Sequence, residues 1–147
     1  MTTGLRFERF HDIIIEAPAS TILNYVSNPN SWPEWLASSH EVISPQRPLE
    51  AGEIFEEHWS TRTGAVTLHW RVTARQHPYL WEAETQTSFT GPIVVRYEIE
   101  GVPGGHRFRR RLINPARPKL PTEEMIKRTD EEAVLSLNNI KTRVELL

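Results

Sequence analysis

The sequence predicts an α+β domain, an antiparallel sheet of about seven strands packed against one long C-terminal helix. Three observations predict it. From residue 41 to residue 114, runs alternating with period 2 follow one another, parted by short breaks rich in turn residues. From about Thr122 to Leu147, apolar residues recur at helical spacing. Between them and the N-terminus, a β-branched segment leads into two short helical patterns. The order is therefore β, α, α, six β, long α, and a sheet with one long helix must bury that helix's stripe against one face. The 147 residues suit a single domain spanning 1–147.

The first strand lies in Phe7 to Glu16, where Ile13, Ile14 and Ile15 favour extended structure. Ala17-Pro18 starts a helix, with proline at its first position, and Ile22, Tyr25 and Val26 give it one apolar face. Asn28-Pro29 stops it, because a residue before proline avoids the α region. Ser31-Trp32-Pro33-Glu34 has the spacing of a capping box for a second, one-turn helix that carries Trp32, Trp35 and Leu36 on one side. A weak run at 41–45 precedes five clear ones at 52–62, 65–75, 80–87, 93–100 and 106–114. Their breaks (Thr63-Gly64, 76–79, 88–92 and 101–105) are short enough to join antiparallel neighbours. The last helix presents Ile126, Ala133, Leu137, Ile140, Val144 and Leu147 as its inner stripe. Leu135 and Leu146 point the other way, with Asn139 and Thr142 between them; they are either isolated exposed leucines or one half of a homodimer contact through this helix.

Composition narrows the function. There is no cysteine, which excludes disulfides, thiolate catalysis and cysteine-bound zinc. Lys plus Arg is 17 against 19 for Asp plus Glu, a balance that gives no general reason to bind nucleic acid. No apolar run approaches the roughly 18 residues of a membrane span, and the N-terminal residues lack an apolar signal core, so integral membrane association is not expected and a cytoplasmic protein is.

With Ile15-Glu16-Ala17-Pro18 leading into the first helix, and Asn28-Pro29-Asn30-Ser31-Trp32-Pro33-Glu34-Trp35 breaking it, the chain resembles the START-like, or polyketide cyclase/dehydrase-like (SRPBCC), superfamily. The resemblance runs from about Leu5 to Leu147 and includes the C-terminal helix. It implies a helix-grip fold, a curved sheet gripping the last helix with an apolar cavity between them. That superfamily holds lipid carriers, cyclases and hormone binders, so the resemblance specifies fold far better than activity.

Register decides which side chains face such a cavity. If Thr63-Gly64 is a two-residue turn, Trp59 pairs with Leu68, Glu57 with Trp70 and Phe55 with Val72, and this more apolar set is inward. The inner face continues through Trp81, Ala83 and Thr85, then Val95, Tyr97 and Ile99, then Phe108, Arg110 and Leu112. On the outer face Arg71 then falls between Glu56 and Glu84, Glu84 faces Arg96, Glu98 faces Arg109 and Glu100 faces Arg107, all favourable, while Arg96 falls opposite Arg111.

Two charged residues, Glu57 and Arg110, thus stand on an apolar face, and His11 looks inward from the first strand. A few polar groups in an apolar cavity describe a small-molecule site. The candidate ligand-binding set is Trp59, Trp70, Tyr97, Arg110, Glu57 and Trp35, with Arg110 and Tyr97 as polar anchor; the alternative is that Glu57 and Arg110 pair with each other or lie at a wet rim. Trp32 and Trp35 are either a lid over the cavity or, the favoured reading, core residues pinning the short helix. His58 and His69 fall side by side on the outer face, and a metal site would need a third ligand, for which Glu56 is the only near candidate, so neither metal nor cofactor is expected. The run Arg107 to Arg111 has its alternate arginines facing glutamates and is not read as a nucleic-acid patch. The reading favoured is intracellular binding or transport of an apolar small molecule (a lipid, isoprenoid or aromatic polyketide). The alternative is a polyketide cyclase or aromatase, in which Arg110 and Tyr97 would stabilise an enolate while Glu57 or His11 moved the proton. No catalytic residue is assigned.

Overall fold

A computed structural model describes residues 4–61 and 64–147. In chain order these form β1 (Leu5–Ile15), α1 (Ala19–Val26), a 3-10 turn (Pro29–Ser31), α2 (Trp32–Trp35), β2 (Ser39–Ile43), β3 (Ile54–Thr61), β4 (Gly64–Gln76), β5 (Leu80–Thr87), β6 (Gly91–Val102), β7 (Gly105–Arg117) and α3 (Glu123–Glu145). The strands make one curved, antiparallel seven-stranded sheet in the order β1-β7-β6-β5-β4-β3-β2. Strands β2 to β7 run as a meander, and β1 returns to lie beside β7. The start of β7 admits β1 closely because residue 105 is glycine: a Cβ there would stand 2.3 Å from the Ile15 carbonyl oxygen. No helix among the described residues is long and apolar enough to cross a membrane.

The expected inward residues keep their face, but three hairpins pair differently; in one, a bulge between Val72 and Ala74 shifts the turn end of β4–β5 by one residue, so Gln76 pairs with Leu80. Thr61 pairs with Gly64, which sets Trp59 against Val66, Glu57 against Leu68 and Phe55 against Trp70, two residues from the expected partners. Thr63 of the expected turn lies outside the described residues. The β5–β6 turn is also tighter than expected: Thr87 pairs with Gly91 and its hydroxyl donates to the Gly91 carbonyl at 2.8 Å. A slip of two leaves every side chain on its own face, because the pleat repeats every two residues. It does exchange partners. Arg71 faces Ile54 and Glu84 rather than Glu56, Glu84 faces Val94, and Arg96 finds Glu82. His58 faces Thr67 and is not beside His69, and no group of three metal-ligating side chains is assembled among the described residues. Arg96 does fall opposite Arg111, and Glu98 sits between them, paired with both.

The helix starts differ in detail. Pro18 is the N-cap of α1, in extended conformation, rather than its first helical residue. No capping box forms at α2: the Ser31 hydroxyl donates to the Tyr25 and Asn28 carbonyls at 2.7 and 2.9 Å, and Glu34 accepts from the Tyr25 hydroxyl. Thr122 caps α3 by accepting from the Met125 amide. Ala133, Leu137, Ile140 and Val144 are buried as expected, whereas Ile126 is half-buried and Leu147 is exposed beyond the last turn. Leu135 and Leu146 are exposed, while Asn139 turns back to donate to the Trp35 carbonyl.

The core between sheet and helices is built on the Trp32 ring. It meets Trp35, Phe55, Trp70, Trp81 and Tyr97 edge-on, with centroids 5.2 to 6.4 Å apart. Edge-to-face contact sets the positive ring edge against a negative ring face and stabilises beyond area burial alone. Trp32 and Trp35 are both buried, so the double tryptophan is core and pins α2 to the sheet.

Candidate functional site

Where the upper half of α3 passes over the sheet, the core opens into a cavity of about 160 Å3. Strands β3 and β4 supply Glu57, Trp59 and Trp70, and β6 and β7 supply Ile93, Val95, Arg110 and Leu112. The chain at and after α2 closes one side with Trp32, Leu36 and Ser38. The roof is α3, through Thr129, Glu132, Ala133 and Ser136. The space exists because the roof side chains are short; one turn further on, Leu137 and Ile140 fill the corresponding room.

Glu57 is fully buried. Its Oε1 accepts from Trp70 Nε1 at 3.0 Å, and its Oε2 completes no well-formed hydrogen bond among the described residues. Burial pushes this carboxyl above the usual carboxylate range, and the nearby Ser39, Trp70, Trp59 and Arg110 offset that only in part. Arg110 stands across the sheet from Tyr97, as expected. Its guanidinium lies 5.8 Å from the Trp35 ring, and its Nε is buried without a hydrogen-bond partner. It closes no ion pair among the described residues, with Glu57 or with any other carboxylate. Tyr97 is completely buried, and burial drives its hydroxyl pKa well above the ordinary value against the pull of Arg110.

The six candidate residues therefore divide. Glu57, Trp59, Trp70 and Arg110 line one cavity, whereas Tyr97 and Trp35 lie behind its wall and hold Arg110. His11 faces α3, where its Nε2 lies 2.7 Å from Asp130, which also binds Arg9; it does not reach the cavity. The tryptophans differ in one telling respect. Trp32, Trp35, Trp70 and Trp81 each donate their indole N–H to the Val26 carbonyl, Ser31, Glu57 and the Leu49 carbonyl respectively. Trp59 Nε1 is buried near Glu57 but completes no well-formed hydrogen bond among the described residues.

The roof was not read from the sequence. Its signal was there: Thr129, Ala133 and Ser136 recur at helical spacing, small residues flanking the large apolar stripe. Roomier surface grooves are also present among the described residues, including one beside Ile43 and Ile54 and one among Arg96, Arg107, Arg109 and Arg111. The arginines of the second are taken by Glu82, Glu98, Glu100 and Asp12.

Similarity to known proteins follows the fold. Ara h 8.0201 superposes with a TM-score of 0.70 at 8% identity, covering 95% of this chain and 98% of that one. The di-domain ARO/CYC StfQ from the steffimycin biosynthetic pathway gives 0.75 at 12% identity, covering 96% of this chain and 51% of its own, so this chain spans about half of it. A protein from Chromobacterium violaceum gives 0.73 at 10% identity, covering 94% and 97%. At such identities the likeness is one of fold. No curated protein matches the sequence. The family described as polyketide cyclase / dehydrase and lipid transport matches residues 9–145, which is nearly all of the sheet and the whole of α3. By that match the chain belongs to the polyketide cyclase / dehydrase and lipid transport family.

Proposed function

We propose that the protein binds an apolar small molecule in the cavity under α3, as a carrier or sensor. The observation that carries this reading is a cavity walled by Trp59, Trp70, Ile93, Val95 and Leu112 in which buried polar atoms of Glu57, Arg110 and Trp59 complete no well-formed hydrogen bond among the described residues. Leaving a buried polar group unpaired costs about 1–3 kcal/mol, so such groups ordinarily occur where something else completes them. An apolar wall with a few such groups suits a ligand apolar in its body and polar at its ends.

Cyclase chemistry would need a proton-moving pair around one substrate. Glu57 is one such group, but His11, its expected partner, is bonded to Asp130 away from the cavity. The other carboxylate lining the cavity among the described residues, Glu132, sits on the exposed roof. Binding is therefore favoured over catalysis.

Titration with an apolar fluorescent probe tests the reading. Saturable one-to-one binding is expected. Trp59→Ala, which removes a wall outside the tightly packed aromatic core, should weaken binding about tenfold with little loss of melting temperature. A probe that never saturates overturns the proposal.

A further inference from the structure

Resting on that reading of the cavity, we propose that its ligand is a neutral, single-ring phenol bearing a carbonyl group at the opposite end of the ring. The hydroxyl meets Glu57 and Trp59, and the carbonyl oxygen meets Arg110.

Volume sets the size. The cavity measures about 160 Å3. An apolar cavity of about 150 Å3 accommodates benzene, whereas sites for drug-sized ligands begin near ~300 Å3. One ring with one or two small substituents fits. A long acyl chain or a fused multi-ring skeleton does not. The walls include Trp32, Trp59 and Trp70, whose ring faces and edges favour an aromatic guest.

The unpartnered atoms set the substituents. Glu57 and Trp59 are two residues apart on β3, so their side chains stand side by side on one face. They offer a carboxyl oxygen, Oε2, and an indole N–H; neither completes a well-formed hydrogen bond among the described residues, although they stand near each other and near the Ser39 hydroxyl. A hydroxyl is the small group that donates to one neighbour while accepting from the other. Arg110 comes from β7, separated from β3 in the sheet by β4, β5 and β6, and reaches the same cavity from the opposite wall. Its unpartnered Nε–H can only donate, so it calls for an acceptor such as a carbonyl oxygen. The guanidinium and Glu57 attract each other yet close no ion pair, so both ends stay available.

Charge decides against an acid. Among the described residues Arg110 is the one cation lining the cavity, set against two carboxyl groups, Glu57 within and Glu132 at the roof. An added carboxylate could pair with Arg110, but it would give up its hydration beside a second, buried carboxyl, a cost that can exceed the attraction. A carbonyl oxygen satisfies Arg110 without adding charge.

Calorimetric titration of the full chain with four probes tests this: 4-hydroxyacetophenone, acetophenone, 4-ethylphenol and 4-hydroxybenzoate, beside the apolar fluorescent probe. The expected result is one-to-one binding of 4-hydroxyacetophenone at least tenfold tighter than the other three. Trp59→Phe should erase the preference over acetophenone, which lacks the hydroxyl. Arg110→Leu should erase the preference over 4-ethylphenol, which lacks the carbonyl, and melting curves of both variants report their folding. The comparison among ligands on the parent needs no variant. Equal affinities for the three neutral rings, or tighter binding of 4-hydroxybenzoate, overturn this ligand class and leave apolar binding intact. Failure of every ring and of the apolar probe overturns the cavity reading itself.

Discussion

Glu57 is the residue that folding alone does not account for. A carboxyl at full burial, with one oxygen satisfied and one not, loses solvation that a glutamine in its place would not lose to the same degree. Its folded-state pKa lies above the ordinary 4.5. The folded state therefore holds this proton more tightly than the unfolded one, and the group's contribution to stability falls as pH rises from about 4.5 through the raised value. Glu57→Gln should raise the melting temperature at pH 8, and the gain should shrink towards zero below pH 4, with Trp70 still donating to the side-chain oxygen. A gain independent of pH would mean that the carboxyl is not what is being relieved. Alternation alone made Glu57 and Arg110 legible as inward charges. It could not show that each would keep an unpaired atom, since that depends on how far the sheet's curvature separates β3 from β7.

At the scale of elements, period and parity were legible and pairing was not. The alternation in β3 to β7 assigns each side chain to a face, and the expected inward residues keep theirs. The exact partners depend on turn length, which Thr87 and Gly91 set by a hydrogen bond within the turn that composition does not announce. The spacing at Ser31 and Glu34 fits a capping box, yet tertiary partners claim both side chains. The long helix is the most securely read element, because a stripe of that length has one way to be buried. Ile140 is completely buried in the C-terminal half of α3. Ile140→Asp places an unpaired charge there and should cost more than about 4 kcal/mol, enough to unfold a domain of this size. A melting temperature within a few degrees of the parent would refute the packing.

Across the whole molecule, the convex face is a lattice of alternating charge that ties β1, β5, β6 and β7 together. Glu98 is its node, bound to both Arg96 and Arg111, with Glu82 on Arg96 and Glu8 on Arg111. Burial pushes the Glu98 carboxyl up, but Arg111 and Arg96 outweigh it and hold the group below its usual range. The sign is opposite to that of Glu57. Stability from Glu98 is present above the ordinary carboxylate pKa and is lost as pH falls through the depressed one. Glu98→Gln should lower the melting temperature at neutral pH, by more at low salt than at high, because two arginines then face each other across β6 and β7. No salt dependence would show that the lattice contributes nothing.

The short residues of the α3 roof carry a last implication, which concerns evolution. Filling apolar space in a core stabilises by roughly 24 cal/mol per Å3, so the fold could gain stability by closing the apolar part of this 160 Å3 cavity. Ala133 is the simplest place to close it, and Ala133→Leu should melt several degrees higher than the parent while losing probe binding. Drift towards tighter packing is open at this position with a single substitution, so a lineage that keeps the space open does so against a standing thermodynamic incentive, and the hollow is where selection for use must act.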